Sequence, residues 1–218
     1  KSEGYNEWII DVRTFKDCLG SIEEHLSKEE LRRSNSIRVK KNRDLFCLRK
    51  GITRIILSSF FSMVPCDLEY DYSISGKPFV SSTGCRNYSF NISHSKEYLF
   101  LGIAKDREIG VDIERISPAF NYSIVAKSIF SEKEETVFNS YDELSQLKAF
   151  YKMWVQKEAI SKALGLGISI GFNKFSVNTD PNIDDEKYSK YFKELKCSAK
   201  VRVRFEKDYF LAEALVAN

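Results

Sequence analysis

Gly110-Val111-Asp112-Ile113-Glu114, near the middle of the chain, is the segment around which the rest of the sequence is organised. Its apolar and acidic residues alternate, which predicts a strand with Asp112 and Glu114 on the same face. About forty residues later, Trp154-Val155-Gln156-Lys157-Glu158-Ala159-Ile160-Ser161-Lys162 predicts a helix, on which Glu158 and Lys162 lie one turn apart. Strand and helix together could bring three carboxylates and one ammonium group to one place.

The charge distribution also divides the chain. Residues 28–54 contain ten Lys or Arg against three acids, a local net charge of +7, whereas residues 106–143 contain nine acids against four basic residues, a net of −5. A basic segment followed by an acidic one suggests a polyanionic ligand held by the first and a cation held by the second. The alternative is that most of these charges lie on solvated helix faces, and an acidic pair on a strand is often only a solvated face too.

Length and composition limit the class of protein. The 218 residues, 43% of them hydrophobic, are enough for one large domain or two small ones with a substantial core. The longest apolar run, residues 98–104, is far shorter than a membrane span, and we expect no signal peptide and a cytoplasmic location. Five widely spaced cysteines without a Cys-x-x-Cys pair predict reduced thiols. With only two histidines, any metal should be one that prefers oxygen, and magnesium fits best.

The apolar periodicity predicts a mixture of helices and strands. Ser27 and Glu30 have the spacing of a helix capping box, and residues 44–63 show a helical apolar stripe that Pro65 ends. Further helices are predicted at residues 123–130, 132–139 and 142–164, the last one ending at Gly165. Besides the acidic strand, extended segments are predicted at residues 7–12, 68–74, 79–80, 88–92, 98–104, 199–205 and 209–216, with Ser93-His94-Ser95 as a polar corner.

A short internal repeat links the two halves of the chain. Lys96-Glu97-Tyr98-Leu99-Phe100 resembles Lys207-Asp208-Tyr209-Phe210-Leu211, and each follows the long helix of its half by a similar distance. We therefore predict an α+β fold, a pseudo-dimer of two similar α+β halves, residues 1–105 and 106–218, with the active site in the cleft between them.

Five motifs follow one another in order: Gly76-Lys77-Pro78, Asn91-Ile92-Ser93-His94-Ser95, the acidic segment 110–114, Phe130-Ser131-x-x-Glu134 and Trp154-x-x-Lys157-Glu158-Ala159-x-x-Lys162. Together, over roughly residues 27–175, they resemble the 4'-phosphopantetheinyl transferases of the surfactin-synthetase-activating (Sfp) type. The resemblance implies the two-halved pseudo-dimer. It also implies a reaction, in which the phosphopantetheine arm of coenzyme A moves to a serine of an acyl or peptidyl carrier protein and 3',5'-ADP is released.

The same resemblance implies a monomeric, magnesium-dependent enzyme of carrier protein activation, as in secondary metabolism, with no nucleic-acid or membrane partner. Residues 1–105 would bind the coenzyme A nucleotide. Within them, Lys77 and His94 match positions that contact its phosphates, Ser93 lies beside the nucleotide, and Arg33 and Arg49 match basic positions near adenine and the 3'-phosphate. Phe46 departs from the pattern, because it stands where the family can carry a small residue that contacts phosphate.

Residues 106–218 would carry metal binding and catalysis. The implied magnesium ligands are Asp112, Glu114 and Glu158. Glu158 is also the candidate general base for the carrier serine, and Lys162 would stabilise charge on the diphosphate. Glu134 matches a family acid near the metal.

Without the resemblance, two other functions stay open. One is another magnesium-dependent phosphotransfer, to a small molecule. The other is a nucleic-acid-binding module that uses the basic segment 28–54, although that segment contains neither a known nucleic-acid motif nor an aromatic stacking platform. Lys77 in its turn and His94 in its corner would then be ordinary surface residues.

Overall fold

The structure, a computed structural model, describes residues 4–217 of the chain. These residues form nine β-strands and six α-helices. The strands are β1 (Tyr5–Asp11), β2 (Tyr70–Tyr72), β3 (Pro78–Val80), β4 (Tyr88–Ser95), β5 (Tyr98–Lys105), β6 (Arg107–Arg115), β7 (Asp185–Phe192), β8 (Cys197–Glu206) and β9 (Tyr209–Ala217). The helices are α1 (Leu19–Glu23), α2 (Lys28–Ser36), α3 (Lys40–Phe61), α4 (Ser123–Ile129), α5 (Glu132–Phe138) and α6 (Glu143–Leu164). None of these helices is long and apolar enough to cross a membrane.

Three antiparallel sheets form the framework. The first contains β1, β5 and β4 in that order, the second is the hairpin of β2 and β3, and the third contains β6, β9, β8 and β7. Leu57 of α3 shares a core with Leu101 and Ile103 of the first sheet. Ala159 of α6 shares a core with Val203 of the third. A 22-residue helix therefore lies against a sheet in each half of the chain, and the mixed helix-and-strand fold is confirmed.

Local sequence signals account well for the helix ends. Ser27 and Glu30 form the expected capping box at the start of α2, which satisfies two backbone N–H groups. α3 begins a turn earlier than predicted and ends at Phe61, where Ser62 takes a left-handed conformation with φ of 55°. Gly165 caps α6 with φ of 65°, so the Gly165-Leu166-Gly167 segment is the end of a helix.

The predicted polar corner at residues 93–95 is wrong. Ser93, His94 and Ser95 continue β4, and the chain turns instead at Lys96, whose φ is 51°. The serines are buried although they are polar, because alternate residues of β4 face β6 rather than water. Consecutive polar residues are typical of an exposed corner, whereas here each serine has a partner in the protein.

Side chains of β4 join this strand to the backbone of β6. Ser89 Oγ, Asn91 Oδ1 and Ser95 Oγ accept hydrogen bonds from the backbone N–H groups of Ile109 (3.2 Å), Val111 (2.9 Å) and Arg115 (3.1 Å). Each bond joins residues 20 apart, so the two strands run in parallel. We call this set of bonds the polar ladder. It connects the first sheet to the third along the strand that carries Asp112 and Glu114.

β7 is absent from the predicted strands. Its sequence, Asp-Glu-Lys-Tyr-Ser-Lys-Tyr-Phe, has few apolar residues, and β7 lies at the edge of the third sheet with most of its side chains exposed. An edge strand that is mostly solvated shows little of the apolar alternation from which strands are recognised.

The two copies of the internal repeat occupy equivalent places. Lys96, with φ of 51°, precedes β5, and Lys207, with φ of 49°, precedes β9. The repeat tyrosines, Tyr98 and Tyr209, contact each other with ring centroids 4.8 Å apart. Residues at matching positions of the two repeat segments therefore contact each other.

Candidate active site

Asp112 and Glu114 lie next to each other on one face of β6, as predicted. β6 pairs with β9 along its whole length, and Asp112 is buried whereas Glu114 is half-buried. Gly110 brings this strand against α6. A Cβ atom built on Gly110 would lie 2.0 Å from the carbonyl oxygen of Ala159 and 2.3 Å from the backbone nitrogen of Ala163. Only a glycine allows this approach of strand to helix.

Two serines of β4 hold the two acids of β6. Ser93 Oγ donates to Asp112 Oδ1 at 2.7 Å, and Ser95 Oγ donates to Glu114 Oε2 at 2.8 Å. The second oxygen of Asp112, Oδ2, is buried and has no hydrogen-bond partner among the described residues. A buried carboxylate oxygen without a partner is costly, and it is a feature that a bound cation would satisfy.

Lys162 reaches the same acids from α6. Its ammonium Nζ lies 2.6 Å from Asp112 Oδ1 and donates to Ser93 Oγ at 3.2 Å. The side chain of Lys162 is 27% exposed, so the ion pair lies at the edge of a space that solvent reaches. The ammonium partly compensates the negative charge of the acids, and it is accessible to an anion from the solvent side.

Glu158 lies one turn before Lys162 and completes the acidic group. Its pKa is raised, first by burial and then by the negative charges of Asp112 and Glu114, while Lys162 opposes the shift. The pKa of Glu114 is raised as well, by burial and by Asp112. We call Asp112, Glu114 and Glu158 the acidic cluster, because burial and the negative charge of Asp112 raise the affinity of both glutamates for protons.

The acidic cluster has the chemistry of a hard-cation site but is not closed around one. Within residues 4–217, no three His, Cys, Asp or Glu side chains lie close enough together to enclose a metal ion as they stand. Lys162 occupies one oxygen of Asp112. The unpartnered Asp112 Oδ2 and the raised pKa of Glu114 and of Glu158 nevertheless fit a divalent cation, whose charge would relieve both.

Basic residues surround the other side of this space. The pKa of His94 is lowered by the protein packed around its ring and then by the positive charges of Arg49, Lys162 and Lys50. Arg49 donates one guanidinium N–H to the carbonyl of Lys96, and its Nε is buried without a partner in the described chain. Histidine, arginine and two lysines therefore share one region of positive potential beside the acidic cluster, as an anionic ligand requires.

Lys77 is engaged elsewhere in the protein. Its ammonium Nζ donates to Glu108 Oε2 (2.6 Å), to the carbonyl of Ile109 (3.0 Å) and to the carbonyl of Ala163 (3.2 Å). These contacts use all three ammonium hydrogens. Lys77 thus ties its turn to both β6 and α6, and its contact with a phosphate stays a prediction.

Arg33 and Phe46 line a cavity of about 800 Å³ between α2, α3 and the 65–72 segment. The Arg33 guanidinium lies 5.7 Å from the centroid of the Phe46 ring, as a cation–π contact. Lys50, which the sequence did not single out, lines the same cavity one turn after Phe46. It forms no hydrogen bond or ion pair with the described residues, and burial lowers its pKa. The sequence signal that could have identified Lys50 is its spacing, since it lies four residues after Phe46 on the same helix.

Glu134 takes part in the core rather than in the acidic cluster. It forms a capping box with Ser131, accepts from Val177 N at 2.8 Å, and lies 2.7 Å from the ammonium of Lys157. Lys157 also donates to the carbonyls of Phe172 and Phe175, both at 2.6 Å. That Glu134 lies near the metal stays a prediction. The buried pair fixes a face of α6 different from the one that carries Glu158 and Lys162.

Comparison with known proteins identifies relatives of this chain. Residues 108–214 match the family model of the 4'-phosphopantetheinyl transferase superfamily (ACPS). A Synechocystis protein whose name assigns it provisionally to the 4'-phosphopantetheinyl transferases is 32% identical over 76% of this chain and 65% of its own length. The 4'-phosphopantetheinyl transferase HetI of Nostoc is 30% identical over 77% of this chain and 71% of its own length.

More distant matches cover less of each protein. The L-aminoadipate-semialdehyde dehydrogenase-phosphopantetheinyl transferase of Homo sapiens is 34% identical over 50% of this chain and 38% of its own length. The crystal structure of Thermotoga maritima holo-[acyl-carrier-protein] synthase (AcpS) aligns with a TM-score of 0.37 and 18% identity, over 51% of this chain and 63% of that one. The chain thus spans about two thirds of the bacterial relatives and well under half of the human one.

Proposed function

Because the chain belongs to the 4'-phosphopantetheinyl transferase superfamily, we propose that it transfers the phosphopantetheine arm of coenzyme A to a serine of a carrier protein. One observation carries the proposal. Lys162 of α6 pairs with Asp112 of β6, and burial together with the charges of Asp112 and Glu114 raises the pKa of Glu158, within the region matched to the superfamily and beside a cluster of basic residues. The site thus offers charge of both signs to a diphosphate and its counterion.

Within the superfamily we assign the chain to the surfactin-synthetase-activating type, on the order of its five motifs. We also propose the division into halves 1–105 and 106–218, related as a pseudo-dimer. The contact between Tyr98 and Tyr209 supports it, because equivalent residues of two related halves meet only near the axis that relates them. The monomeric state expected from the sequence stays a prediction.

Magnesium is the cation that we propose for the acidic cluster. Asp112, Glu114 and Glu158 would hold it, since magnesium takes one or a few carboxylates together with phosphate oxygens and waters. The bound ion would supply positive charge to the diphosphate of coenzyme A. Asp112 Oδ2, which is buried and unpartnered within residues 4–217, is an atom that such a ligand would satisfy.

The chain's own residues supply the rest of the chemistry. The carrier serine forms a bond to the β-phosphorus, the bond from that phosphorus to the bridging oxygen breaks, and 3',5'-ADP leaves. Glu158 accepts the serine proton, and its raised pKa makes it a better base than an ordinary glutamate. Lys162 stabilises the negative charge that develops on the departing phosphate. Lys162 must turn from Asp112 toward that phosphate when coenzyme A binds.

Lys50 is expected to contribute to coenzyme A binding. Its ammonium is half-buried, unpaired among the described residues, and lines the same cavity as Arg33, so an anionic group is the partner that it lacks. Lys50→Ala should raise KM for coenzyme A roughly tenfold, about 1.4 kcal/mol, with kcat little changed. Steady-state kinetics at varied coenzyme A concentration measures this effect.

Lys41→Ala is the matched control for Lys50→Ala, because Lys41 lies on the same helix with its side chain exposed. A fall in kcat without a rise in KM would remove Lys50 from the nucleotide site. Repeating the titration with 3'-dephospho-coenzyme A shows which phosphate Lys50 meets: a loss of discrimination between the two ligands assigns it to the 3'-phosphate.

The function itself is tested by mass spectrometry of carriers. The protein is incubated with coenzyme A, magnesium and a panel of apo acyl and peptidyl carrier proteins, and each carrier is weighed intact. We expect one phosphopantetheine added to at least one carrier, and no addition in the presence of EDTA. Release of 3',5'-ADP without any modified carrier would indicate a small-molecule acceptor instead.

A further inference from the structure

The two hydroxyl groups that hold the acidic cluster repeat the spacing of the acids themselves. Ser93 and Ser95 are two residues apart on β4, and Asp112 and Glu114 are two residues apart on β6. Each serine donates to one carboxylate oxygen, at 2.7 Å and 2.8 Å, and leaves the other oxygen of that carboxylate without a protein hydrogen bond in the described chain. The serines therefore select which oxygen of each acid remains for another partner.

Ser95 donates to one acceptor among residues 4–217, Glu114 Oε2. Its Oγ accepts the backbone N–H of Arg115 at 3.1 Å, and this bond fixes the hydroxyl within the polar ladder. The hydroxyl hydrogen of Ser95 points to Glu114 Oε2 in a hydrogen bond. Because the hydroxyl is held by the bond from Arg115, its bond to Glu114 fixes the orientation of that carboxylate.

Glu114 depends on this bond more than Asp112 depends on Ser93. Asp112 is buried and is also held by Lys162 at 2.6 Å. Glu114 has a longer side chain, is half-buried, and Ser95 is its one hydrogen-bond partner among residues 4–217. Loss of Ser95 would therefore release Glu114 into several rotamers, whereas loss of Ser93 would leave Asp112 paired with Lys162.

We propose that Ser95 is a positioning residue for the metal site, which holds the Glu114 carboxylate with its free oxygen available to the cation. The inference rests on the proposed function for the identity of the site, but not on turnover. Ser95 does not contact coenzyme A in this role. Its contribution is to metal affinity, through the orientation of one ligand.

Ser89 provides a matched control on the same strand. Its Oγ accepts from Ile109 N at 3.2 Å and donates to Glu108 Oε2 at 2.9 Å, so its two bonds are the same in kind as those of Ser95. The exposed fractions of the two serines are nearly equal, 8% and 9%. Glu108, however, pairs with Lys77 and is outside the acidic cluster. Ser89→Ala thus removes an equivalent part of the polar ladder without touching a proposed metal ligand.

The test compares Mn²⁺ binding by the wild type, Ser95→Ala, Ser95→Thr and Ser89→Ala, followed by electron paramagnetic resonance with coenzyme A present. Mn²⁺ is the probe because it prefers the same oxygen ligands as magnesium. Ser95→Ala should weaken Mn²⁺ binding about tenfold or more, the usual effect of losing a group that orients a ligand. Ser95→Thr keeps the hydroxyl and should restore most of the affinity. Ser89→Ala should leave it unchanged.

Thermal unfolding and KM for coenzyme A are measured on the same variants. We expect similar losses of thermal midpoint for Ser95→Ala and Ser89→Ala, and an unchanged KM for both. Equal Mn²⁺ affinities in these two variants would overturn the positioning role, as would the absence of Mn²⁺ binding by the wild type. A wild type that binds Mn²⁺ but modifies no carrier would contradict the proposed function and not the role of Ser95. That role is still decided by the ratio of the Mn²⁺ affinities of Ser95→Ala and Ser89→Ala.

Discussion

Gly110→Ala is expected to cost both the stability of the protein and its catalytic activity. The added Cβ would overlap backbone atoms of α6, at 2.0 Å from the Ala159 oxygen and 2.3 Å from the Ala163 nitrogen. Backbone atoms inside a helix cannot rotate away, so α6 must shift relative to β6. Overpacking of this kind costs about 1–3 kcal/mol of unfolding free energy, and we expect the upper end of that range or more.

The shift would also separate the two parts of the site. Glu158 and Lys162 lie on either side of the Ala159 contact, whereas Asp112 and Glu114 belong to the strand. A misplacement of about 1 Å can cost roughly a hundredfold in rate, and we expect at least that loss in carrier modification. Urea unfolding and single-turnover kinetics measure the two effects separately.

Gly84→Ala is the control for the glycine substitution. A Cβ at Gly84 would meet no atom within 4 Å, and its backbone φ is not positive. This variant should behave as the wild type in both measurements. If Gly110→Ala also kept near-normal turnover, the close approach of β6 to α6 would not be what sets the geometry of the site.

Glu158→Gln is expected to abolish transfer and yet leave the protein at least as stable as the wild type. The amide keeps the shape of the side chain but can neither accept the serine proton nor offer a charged ligand. We expect kcat to fall about a thousandfold or more, consistent with loss of a general base combined with weaker cation binding. The carrier assay by intact mass measures the loss.

The stability change follows from the sign of the pKa shift. The folded-state pKa of Glu158 is raised, so the folded protein binds its proton more tightly than the unfolded chain does. The ionised glutamate therefore destabilises the fold, progressively as pH rises above its unfolded pKa and fully above its folded pKa. Glu158→Gln removes this penalty at neutral pH, and its advantage should disappear in acid. Unfolding midpoints at several pH values would reveal the convergence.

Glu143→Gln, an exposed position in the first turn of α6, is the control for loss of one negative charge from the same helix. It should change neither turnover nor the pH profile of stability appreciably. A Glu158→Gln variant with normal turnover would remove Glu158 from the mechanism.

The parts of the site predicted from sequence are those that a local pattern encodes. Alternation placed Asp112 and Glu114 on one face of a strand, and helical spacing placed Glu158 one turn from Lys162. Both patterns depend only on the geometry of a single element. Gly110 is a local signal that another element approaches the strand closely. The sequence near Gly110 does not show that this element is α6.

The parts that sequence did not predict depend on contacts between elements. The corner predicted at Ser95 is wrong because nothing in the sequence near Ser95 reveals a second strand beside it. The motif that contains Glu134 gives no sign of its partner, the buried Lys157, which lies on another helix. Among ten basic residues in segment 28–54, only packing distinguishes the unpaired Lys50 from Arg54, which pairs with Glu30.

The polar ladder has a consequence for the order in which the molecule folds. Its bonds join residues 20 apart and the serine–carboxylate bonds beside it join residues 19 apart, whereas the bond between Tyr5 and Glu213 joins residues 208 apart. Because the entropy of loop closure grows with the length of the loop, the ladder is the easier contact to form first. Asp112 and Glu114 can therefore meet their serines while the chain is still being synthesised. The other edge of β6 stays open until β9, the last of the described strands, leaves the ribosome and closes it.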